Sequence, residues 1–330
     1  MSVQMSKVGG SGGARGGLVA LLVAIVACGC AEPRRVGRVE PVLHNWEQPY
    51  RGLAGLELHV FNTGSMHMPA GAVFRGGSWL SRRRLDVPAF VVAHPSGDLV
   101  VFDTGLRPRA ASGGRAYLGL VVSGLDLVDR SDGEALPDQM RAAGLDPGRV
   151  THVVLSHMHF DHTGTIEAFA NASIVTASGE KQAALAASRH LDFYREEDWA
   201  SSVRWVEIRY DVGQPYATFV SHHDLLGDGS IVLVDLHGHT PGSQGMLLAT
   251  SGAPILLTGD AAWVEQSWRY PAEPVSAWDM DTWWQQIWRI KKFVQLVPTA
   301  LVVPGHDLKP LERIEHRAVV FHRLTQTAQR

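Results

Sequence analysis

The string HMHFDH at residues 157–162 places three histidines and one aspartate within six positions. These side chains can surround a metal only if the backbone curls back on itself. His157 and His159 point the same way while the chain is extended, whereas the adjacent Asp161 and His162 would point apart in a strand. A loop after His159 would let Asp161 and His162 turn toward a second ion. The string therefore predicts a strand end followed by a loop, with a pair of metals beside it.

Three further candidate ligands occur later in the chain, and each follows a short apolar run. They are His239, Asp260 and His306. The preceding runs, at 231–236, 255–257 and 301–303, are typical of buried strands. We therefore expect strand ends to deliver seven ligands in total, which is enough for two metal ions.

Each of these later positions also allows another role. His237 lies in the same turn as His239 and could be the ligand in its place. Asp260 could cap a helix, and His306 could be a surface turn residue. The metal interpretation depends on the seven residues being brought together by the fold.

The residue types indicate which metals are suitable. Histidine and carboxylate suit a borderline divalent ion such as Zn, and Fe, Mn and Co accept the same donors. The two cysteines of the chain, Cys28 and Cys30, both lie near the N-terminus. The rest of the chain therefore contains neither a cysteine ligand nor a disulfide.

Composition limits the class of protein. The chain has 330 residues, of which 45% are hydrophobic, so it can build a sizeable core. The net charge of -3 is spread as mixed charges, and nothing indicates a nucleic-acid partner. We expect a globular protein whose partner is a small-molecule substrate, and the sequence leaves its oligomeric state open.

The N-terminus has the pattern of an export signal. Two basic residues precede an apolar stretch over 18–27, which is too short to span a bilayer. Residues 1–30 are therefore predicted to be a signal peptide. Residues 25–28, IVAC, resemble a bacterial lipobox, so Cys28 is the predicted lipidation site and Cys30 a weaker candidate. We expect an exported, periplasmic or outer-membrane-anchored bacterial lipoprotein that meets the membrane only through this anchor, with ordinary secretion as the alternative.

Proline and charged residues interrupt any periodicity over 31–54, which predicts a linker before a single domain at 55–330. Apolar runs at 88–93 and 99–102 flank a turn-rich spacer and predict a β-hairpin. The best helix is predicted over 279–296, with one face marked by Trp284, Ile287, Trp288, Lys291 and Val294. Shorter helices are predicted at 138–143 and 178–188, and further strands at 56–61 and 150–156. The pattern favours two αβ halves packed sheet to sheet.

The ligand pattern resembles that of the metallo-β-lactamase fold superfamily over about residues 55–310. The resemblance implies an α/β fold, a four-layer αββα sandwich with the site at one edge. It also implies which residues serve which metal. One metal would be held by His157, His159 and His239, and the other by Asp161, His162 and His306. Asp260 would bridge both metals, and Asp103 would orient a ligand histidine from behind.

Within this superfamily the chain is similar to N-acyl homoserine lactonases, by VFDTG at 101–105, SHMHFDH at 156–162 and GHTPGSQG at 238–245. The resemblance implies a dinuclear hydrolase of lactones or related esters, with Asp161 and Asp260 as catalytic residues. Asp161 would pass a proton to the leaving group. The alternatives are a phosphotriesterase similar to methyl parathion hydrolase, a β-lactamase, or a metal-binding scaffold without activity.

The substrate pocket departs from the lactonase pattern at one position. Many of those lactonases have a tyrosine three residues after the bridging aspartate, whereas this chain has Trp263. An indole N–H can donate a hydrogen bond but has no ionisable hydroxyl. Trp263, Trp268 and His67 are predicted to contribute to the substrate pocket.

Overall fold

Two β-sheets form the centre of the protein, as seen in a computed structural model. The structure describes residues 40, 42–108, 128–129, 134–187, 193–199, 203–270, 272–313 and 317–322. These residues belong to one unit of the chain, Gly37–Arg330. The predicted signal peptide and its lipidation site, Cys28, lie outside the described residues.

Two long strands and twelve shorter ones form the two sheets in the described part of the chain. In chain order they are β1 (Glu57–Pro69), β2 (Arg82–Ala93), β3 (Leu99–Phe102), β4 (Val128–Asp129), β5 (Val150–Val154), β6 (Ser173–Ala177), β7 (Arg204–Ile208), β8 (Gln214–Tyr216), β9 (Phe219–Asp224), β10 (Ile231–Asp235), β11 (Gln244–Leu248), β12 (Ile255–Leu257), β13 (Leu301–Val303) and β14 (Val319–Phe321). The α-helices are α1 (Ala70–Val73), α2 (Leu136–Ala142), α3 (Ser178–Ala186), α4 (Glu196–Trp199), α5 (Glu265–Arg269), α6 (Met280–Leu296) and α7 (Lys309–Glu312).

The strand order differs between the two sheets. The first sheet runs β14-β1-β2-β3-β5-β6-β7, with β4 pairing separately with β1. Its β1–β2 and β2–β3 pairs are antiparallel, whereas β3, β5, β6 and β7 are parallel to one another. The second sheet runs β13-β12-β11-β10-β9-β8 and is antiparallel except for the β12–β13 pair. The predicted hairpin at 88–93 and 99–102 is the β2–β3 pair.

Alternation along the strands explains the layering, because successive side chains point to opposite faces of a sheet. In β2, Phe90 and Val92 join the core between the sheets, where they share a cluster with Leu233 of β10. Val91 points the other way and belongs to the cluster that includes Met140 of α2. In β10, Val234 likewise faces the cluster formed with α6. The layers are therefore helix, sheet, sheet and helix, which confirms the predicted α/β four-layer αββα sandwich.

Helix α6 covers the outer face of the second sheet. It begins after Asp279, whose carboxylate accepts a hydrogen bond from the backbone N–H of Thr282 at 2.9 Å. Its buried residues are Trp283, Gln286, Ile287, Ile290 and Phe293. Of the residues predicted to mark this helix, Ile287 is buried, and Trp284 and Val294 are half-buried against the same core. Trp288 instead forms a cation–π pair with Lys291, with 5.4 Å between the ammonium and the ring centroid.

Part of the predicted linker packs against the domain. Trp46 stacks on Tyr50 with 5.6 Å between ring centroids and meets Phe293 edge-on at 5.3 Å. The Tyr50 hydroxyl donates a hydrogen bond to the carbonyl of Thr250 at 2.7 Å. Trp46 and Tyr50 are half-buried, and these ring contacts attach this segment to the domain despite its proline and charged residues. Among the residues that the structure describes, no helix combines the length and apolar character that a membrane span requires.

Candidate active site

The loops that follow several strand ends carry the predicted ligands. In the first sheet, Asp103 directly follows β3 and His157 comes shortly after β5. In the second sheet, His239, Asp260 and His306 follow β10, β12 and β13. Both sheets therefore contribute ligands to one site.

Three of the predicted ligands form what we call the three-histidine cluster: His157, His159 and His239. Nε2 of His157 lies 2.9 Å from Nδ1 of His159, and Nε2 of His239 lies 3.3 Å from the same atom. Three different ring nitrogens thus converge on one point.

Three others form the mixed cluster: Asp161, His162 and His306. Oδ2 of Asp161 lies 3.4 Å from Nε2 of His162 and 3.5 Å from Nε2 of His306. The loop after His159 turns Asp161 and His162 toward this second point, as the string predicts.

Asp260 lies between the two clusters. Its Oδ1 is 3.4 Å from Nε2 of His162 and 3.1 Å from Nε2 of His306. Its Oδ2 is 3.8 Å from Nε2 of His157 and 3.5 Å from Nε2 of His239. Oδ2 also lies 3.3 Å from Nε2 of His306, so the one carboxylate reaches both clusters.

The two imidazole rings of the mixed cluster are oriented by hydrogen bonds at Nδ1, on the side away from the cluster. Nδ1 of His162 donates to Oδ2 of Asp103 at 2.8 Å, and the other oxygen of Asp103 accepts from the backbone N–H of Ser156 at 2.7 Å. Nδ1 of His306 donates to the carbonyl of Asp86 at 2.7 Å. These bonds fix the tautomer that leaves Nε2 facing inward. Asp103 does this from a left-handed backbone conformation, with φ of 59°.

The two clusters differ in charge. Burial, reinforced by neighbouring histidines, lowers the pKa of His157 well below its ordinary value and that of His159 to about 3. Burial also lowers the pKa of His239. Burial acts in the same direction on His162 and His306, but the adjacent carboxylates outweigh it and raise the pKa of both rings. In return, the two rings hold the pKa of Asp260 well below its ordinary value against the effect of burial.

The donor geometry fits a pair of divalent ions. Bonds of about 2.1 Å put the ligands of a tetrahedral ion about 3.4 Å apart, and the separations above lie between 2.9 and 3.8 Å. Two buried atoms, Nε2 of His162 and Oδ1 of Asp260, have no hydrogen-bond partner in the described part of the chain. Buried polar atoms without partners are rare, and a bound cation would satisfy both.

The alternative roles can now be compared with the structure. His237 lies outside both clusters and pairs with Asp235, with 2.7 Å between Nδ1 and the carboxylate. Asp260 follows β12 in a short 3-10 turn and points into the site. His306 is buried, with 3% of its surface exposed, so it is not a surface turn residue.

A cavity of about 470 Å³ opens over the clusters and is largely apolar. It reaches Asp161, Asp260 and three of the histidines. Apolar side chains that line it include Met66, Met68, Leu85, Phe160, Phe193 and Trp278. Among the described lining residues there is neither lysine nor arginine. The cavity therefore suits a neutral, apolar molecule.

The predicted substrate residues differ in position. Trp263 lines the cavity, with its ring centroid 5.7 Å from that of His239 and 6.4 Å from that of His306. Trp268 does not line it, because its ring is buried in the core beneath α6. His67 does not line it either, since Met66 and Met68 on either side in β1 point to the cavity and His67 points to the opposite face.

Sequence reasoning missed several residues of the site. The methionines at 66 and 68 had a usable signal, because their spacing of two is that of one strand face. Phe193 and Tyr194 also line the cavity but come from a segment without a clear pattern. Glu180 lies behind the three-histidine cluster, and nothing in its sequence surroundings marks it.

The chain is similar to known proteins over most of its length. A family model described as the metallo-beta-lactamase superfamily matches residues 82–306. The N-acyl homoserine lactonase AttM of Azorhizobium caulinodans is 31% identical over 262 residues, which cover 77% of this chain and 94% of that protein. An N-acyl homoserine lactonase of Bacillus sp is 26% identical, over 68% of this chain and 83% of that protein.

Solved structures agree in fold. An N-acyl homoserine lactone hydrolase with N-hexanoyl-L-homoserine at its catalytic metal centre superposes with a TM-score of 0.66 at 21% identity, covering 78% of this chain and 96% of that one. AidC, a dizinc quorum-quenching lactonase, gives a TM-score of 0.53 at 17% identity, covering 77% and 88%. The family match, the fold and the converging ligands lead to one conclusion: the chain belongs to the metallo-β-lactamase superfamily.

Proposed function

We propose that this protein is a dinuclear metal-dependent hydrolase of N-acyl homoserine lactones or closely related lactones. The observation that carries the proposal is Asp260, placed between two ligand clusters at the floor of an apolar cavity that has no cationic side chain among its described lining residues. A lactone with an acyl chain is neutral and largely apolar, so it suits such a cavity. The AttM and Bacillus relatives carry the same activity in their names.

The ligands proposed for the two ions are the residues of the two clusters, with Asp260 shared. Zn is the first candidate, and Fe, Mn and Co remain alternatives for the same donors. Two such ions would supply Lewis acidity and an ionised water at neutral pH. Elemental analysis of the purified protein identifies the metal.

The side chains of this chain account for the remaining steps. Asp161 lines the cavity and lies beside His162 and His306, so its carboxylate can accept a proton and deliver it to the leaving oxygen. The apolar wall formed by Met66, Phe193 and their neighbours would hold the acyl chain and exclude water. Trp263 presents an indole where many lactonases have a tyrosine hydroxyl, so it cannot exchange a proton there.

One other activity is favoured by a specific observation. A neutral phosphotriester would also suit a cavity that has Trp263 and Trp278 in its wall and no lysine or arginine among its described lining residues. A β-lactam fits less well, because its carboxylate would meet no lysine or arginine among the described lining residues.

Parallel kinetics on one preparation test the proposal. We expect N-acyl homoserine lactones to reach a kcat/KM of at least about 10⁴ M⁻¹ s⁻¹, and neutral triesters and β-lactams to fall well below them. An acyl chain that ends in a carboxylate is the matched control, since the apolar wall should reject it. Faster turnover of a triester than of any lactone would favour the second activity. Absence of turnover with two bound ions would favour a scaffold.

Export and lipid attachment at Cys28 are part of the same proposal, and they rest on the N-terminal sequence. Mass spectrometry of the mature N-terminus from the native cell envelope tests them. A diacylated Cys28 is the expected result, and an unmodified N-terminus elsewhere would point to ordinary secretion.

A further inference from the structure

Glu180 is a buried carboxylate close to the site, with 0% of its surface exposed. It lies in the first turn of α3, and two alanines farther along the same helix, Ala183 and Ala186, line the cavity. A carboxylate in such a place is costly unless hydrogen bonds compensate for lost water. Its partners therefore show what it holds together.

The hydrogen-bond partners of Glu180 come from two ligand-bearing loops. Its Oε1 accepts from the backbone N–H of Met158 at 2.8 Å and from the hydroxyl of Tyr194 at 3.0 Å. Its Oε2 accepts from the backbone N–H of Gly242 at 3.0 Å, and the Thr240 side chain is a further donor. The first loop carries His157 and His159, and the second carries His239.

These bonds act on one cluster only. Met158 lies between His157 and His159, and Thr240 directly follows His239, so all three members of the three-histidine cluster adjoin a residue bound by Glu180. Tyr194 adds a backbone bridge to His159. Asp103 and the carbonyl of Asp86 support the mixed cluster instead.

The contact between Gly242 and Glu180 leaves no room for a side chain at position 242. A Cβ atom at Gly242 would lie 2.5 Å from Cβ of Glu180 and 2.5 Å from its backbone N. The loop after His239 thus packs directly on α3, and a glycine is required at 242. The distance between the two ligand loops is therefore set by this helix turn.

We propose that Glu180 is a positioning residue that sets the spacing of the three-histidine cluster and thereby the affinity of one of the two metal sites. The inference deepens the proposed function and rests on its metal pair. The carboxylate acts through the backbone of Met158 and Gly242 and does not touch substrate or metal.

The test is metal titration of the full chain carrying Glu180→Gln. A glutamine has one acceptor oxygen and one NH₂ donor, so it can satisfy one loop while its NH₂ faces the N–H of the other. We expect one site to keep its affinity for Co(II) and the other to lose about 10- to 100-fold. The visible spectrum of the Co(II) that stays bound should match that of His239→Ala, in which the three-histidine cluster has lost a ligand. It should differ from the spectrum of His306→Ala.

The matched control is Glu207→Gln, which removes a half-exposed carboxylate paired with the neighbouring Lys181 at 3.0 Å. It should titrate like the wild type. Gly242→Ala pushes the same loop away without altering the carboxylate, and it should give the same selective loss even if Glu180→Gln does not fold. Equal weakening of both sites, or two unchanged sites in a folded variant, overturns the proposal. Because the readout is metal binding, failure of the lactone assay does not affect this test.

Discussion

The two ligand clusters lie side by side but are supported in different ways. The mixed cluster is held by hydrogen bonds that its rings donate, from His162 to the Asp103 carboxylate and from His306 to the Asp86 carbonyl. The three-histidine cluster is held through its backbone, where Glu180 ties the two ligand loops together. One site therefore depends on ring orientation and the other on loop spacing.

The clusters also differ in electrostatics. Carboxylates adjoin His162 on three sides and raise the pKa of its ring against the effect of burial. At His157 and His159, burial and the neighbouring histidines outweigh the nearby carboxylates and lower the pKa of both rings. Two sites of different basicity joined by Asp260 can hold two ions with unequal strength.

Substitution of Asp260, which lies between the two clusters, should have the largest effect on activity. Asp260→Asn replaces one oxygen with an NH₂ group that cannot bind a metal, in a side chain whose two oxygens together reach His306 and His239. We expect kcat/KM to fall about 10³-fold, the upper range for losing one preorganised electrostatic group. Kinetics and metal content measured together check this result.

Asp211→Asn is a suitable control for that variant. Asp211 is an exposed carboxylate paired with Arg209 at 2.7 Å, far in sequence from every ligand. It should keep two ions and wild-type kinetics. Two tightly held ions and normal turnover in Asp260→Asn would show that the clusters are independent.

The next largest effect should come from Asp103→Asn. It should weaken metal binding at the mixed cluster, whereas Glu180→Gln should weaken it at the three-histidine cluster. Asparagine tolerates the left-handed backbone at this position, so local folding is preserved. One of its two groups is a donor, however, and it would face either Nδ1–H of His162 or the N–H of Ser156. We expect about 10- to 100-fold weaker binding at the mixed cluster alone, measured by the same Co(II) titration. Loss at the three-histidine cluster first would contradict the division of support described above.

Local patterns predicted the strands and placed the candidate ligands after their ends, whereas the four-layer order of the fold came from the resemblance to the superfamily. Apolar runs give strands, strand ends share an edge, and residues such as His157 and His306 follow those ends. The prediction for α6 named Trp284 but not its neighbour Trp283, which is the more deeply buried of the two, because apolar residues at adjacent positions leave the rotation of the helix ambiguous. Trp268 was placed in the pocket from its proximity in sequence to Asp260, whereas packing beneath α6 buries it.

Other features could not be read from the sequence. Glu180 bonds to backbone groups of Met158 and Gly242, 22 and 62 positions away, and backbone donors leave no mark in the sequence. The packing of Trp46 on Phe293 joins residues far apart in the chain, so 42–54 resembled a linker. Contacts between residues so far apart in the chain leave no local pattern in the sequence.

The smallest expected difference between the two clusters is in how their metal affinity depends on pH. A histidine must be neutral at the nitrogen that binds a metal, so a ring with a raised pKa must first lose a proton. The raised pKa of His162 and His306 therefore makes binding at the mixed cluster release protons and weaken as the pH falls. His159, with a pKa of about 3, is already neutral, so the three-histidine cluster should bind independently of pH near neutrality. We expect about a tenfold change in affinity per pH unit for each proton displaced at the mixed cluster.

Titration of metal-free protein with Zn in weakly buffered solution measures the protons released. Asp103→Asn should reduce that release, whereas equal release from both sites would remove the electrostatic distinction between the clusters.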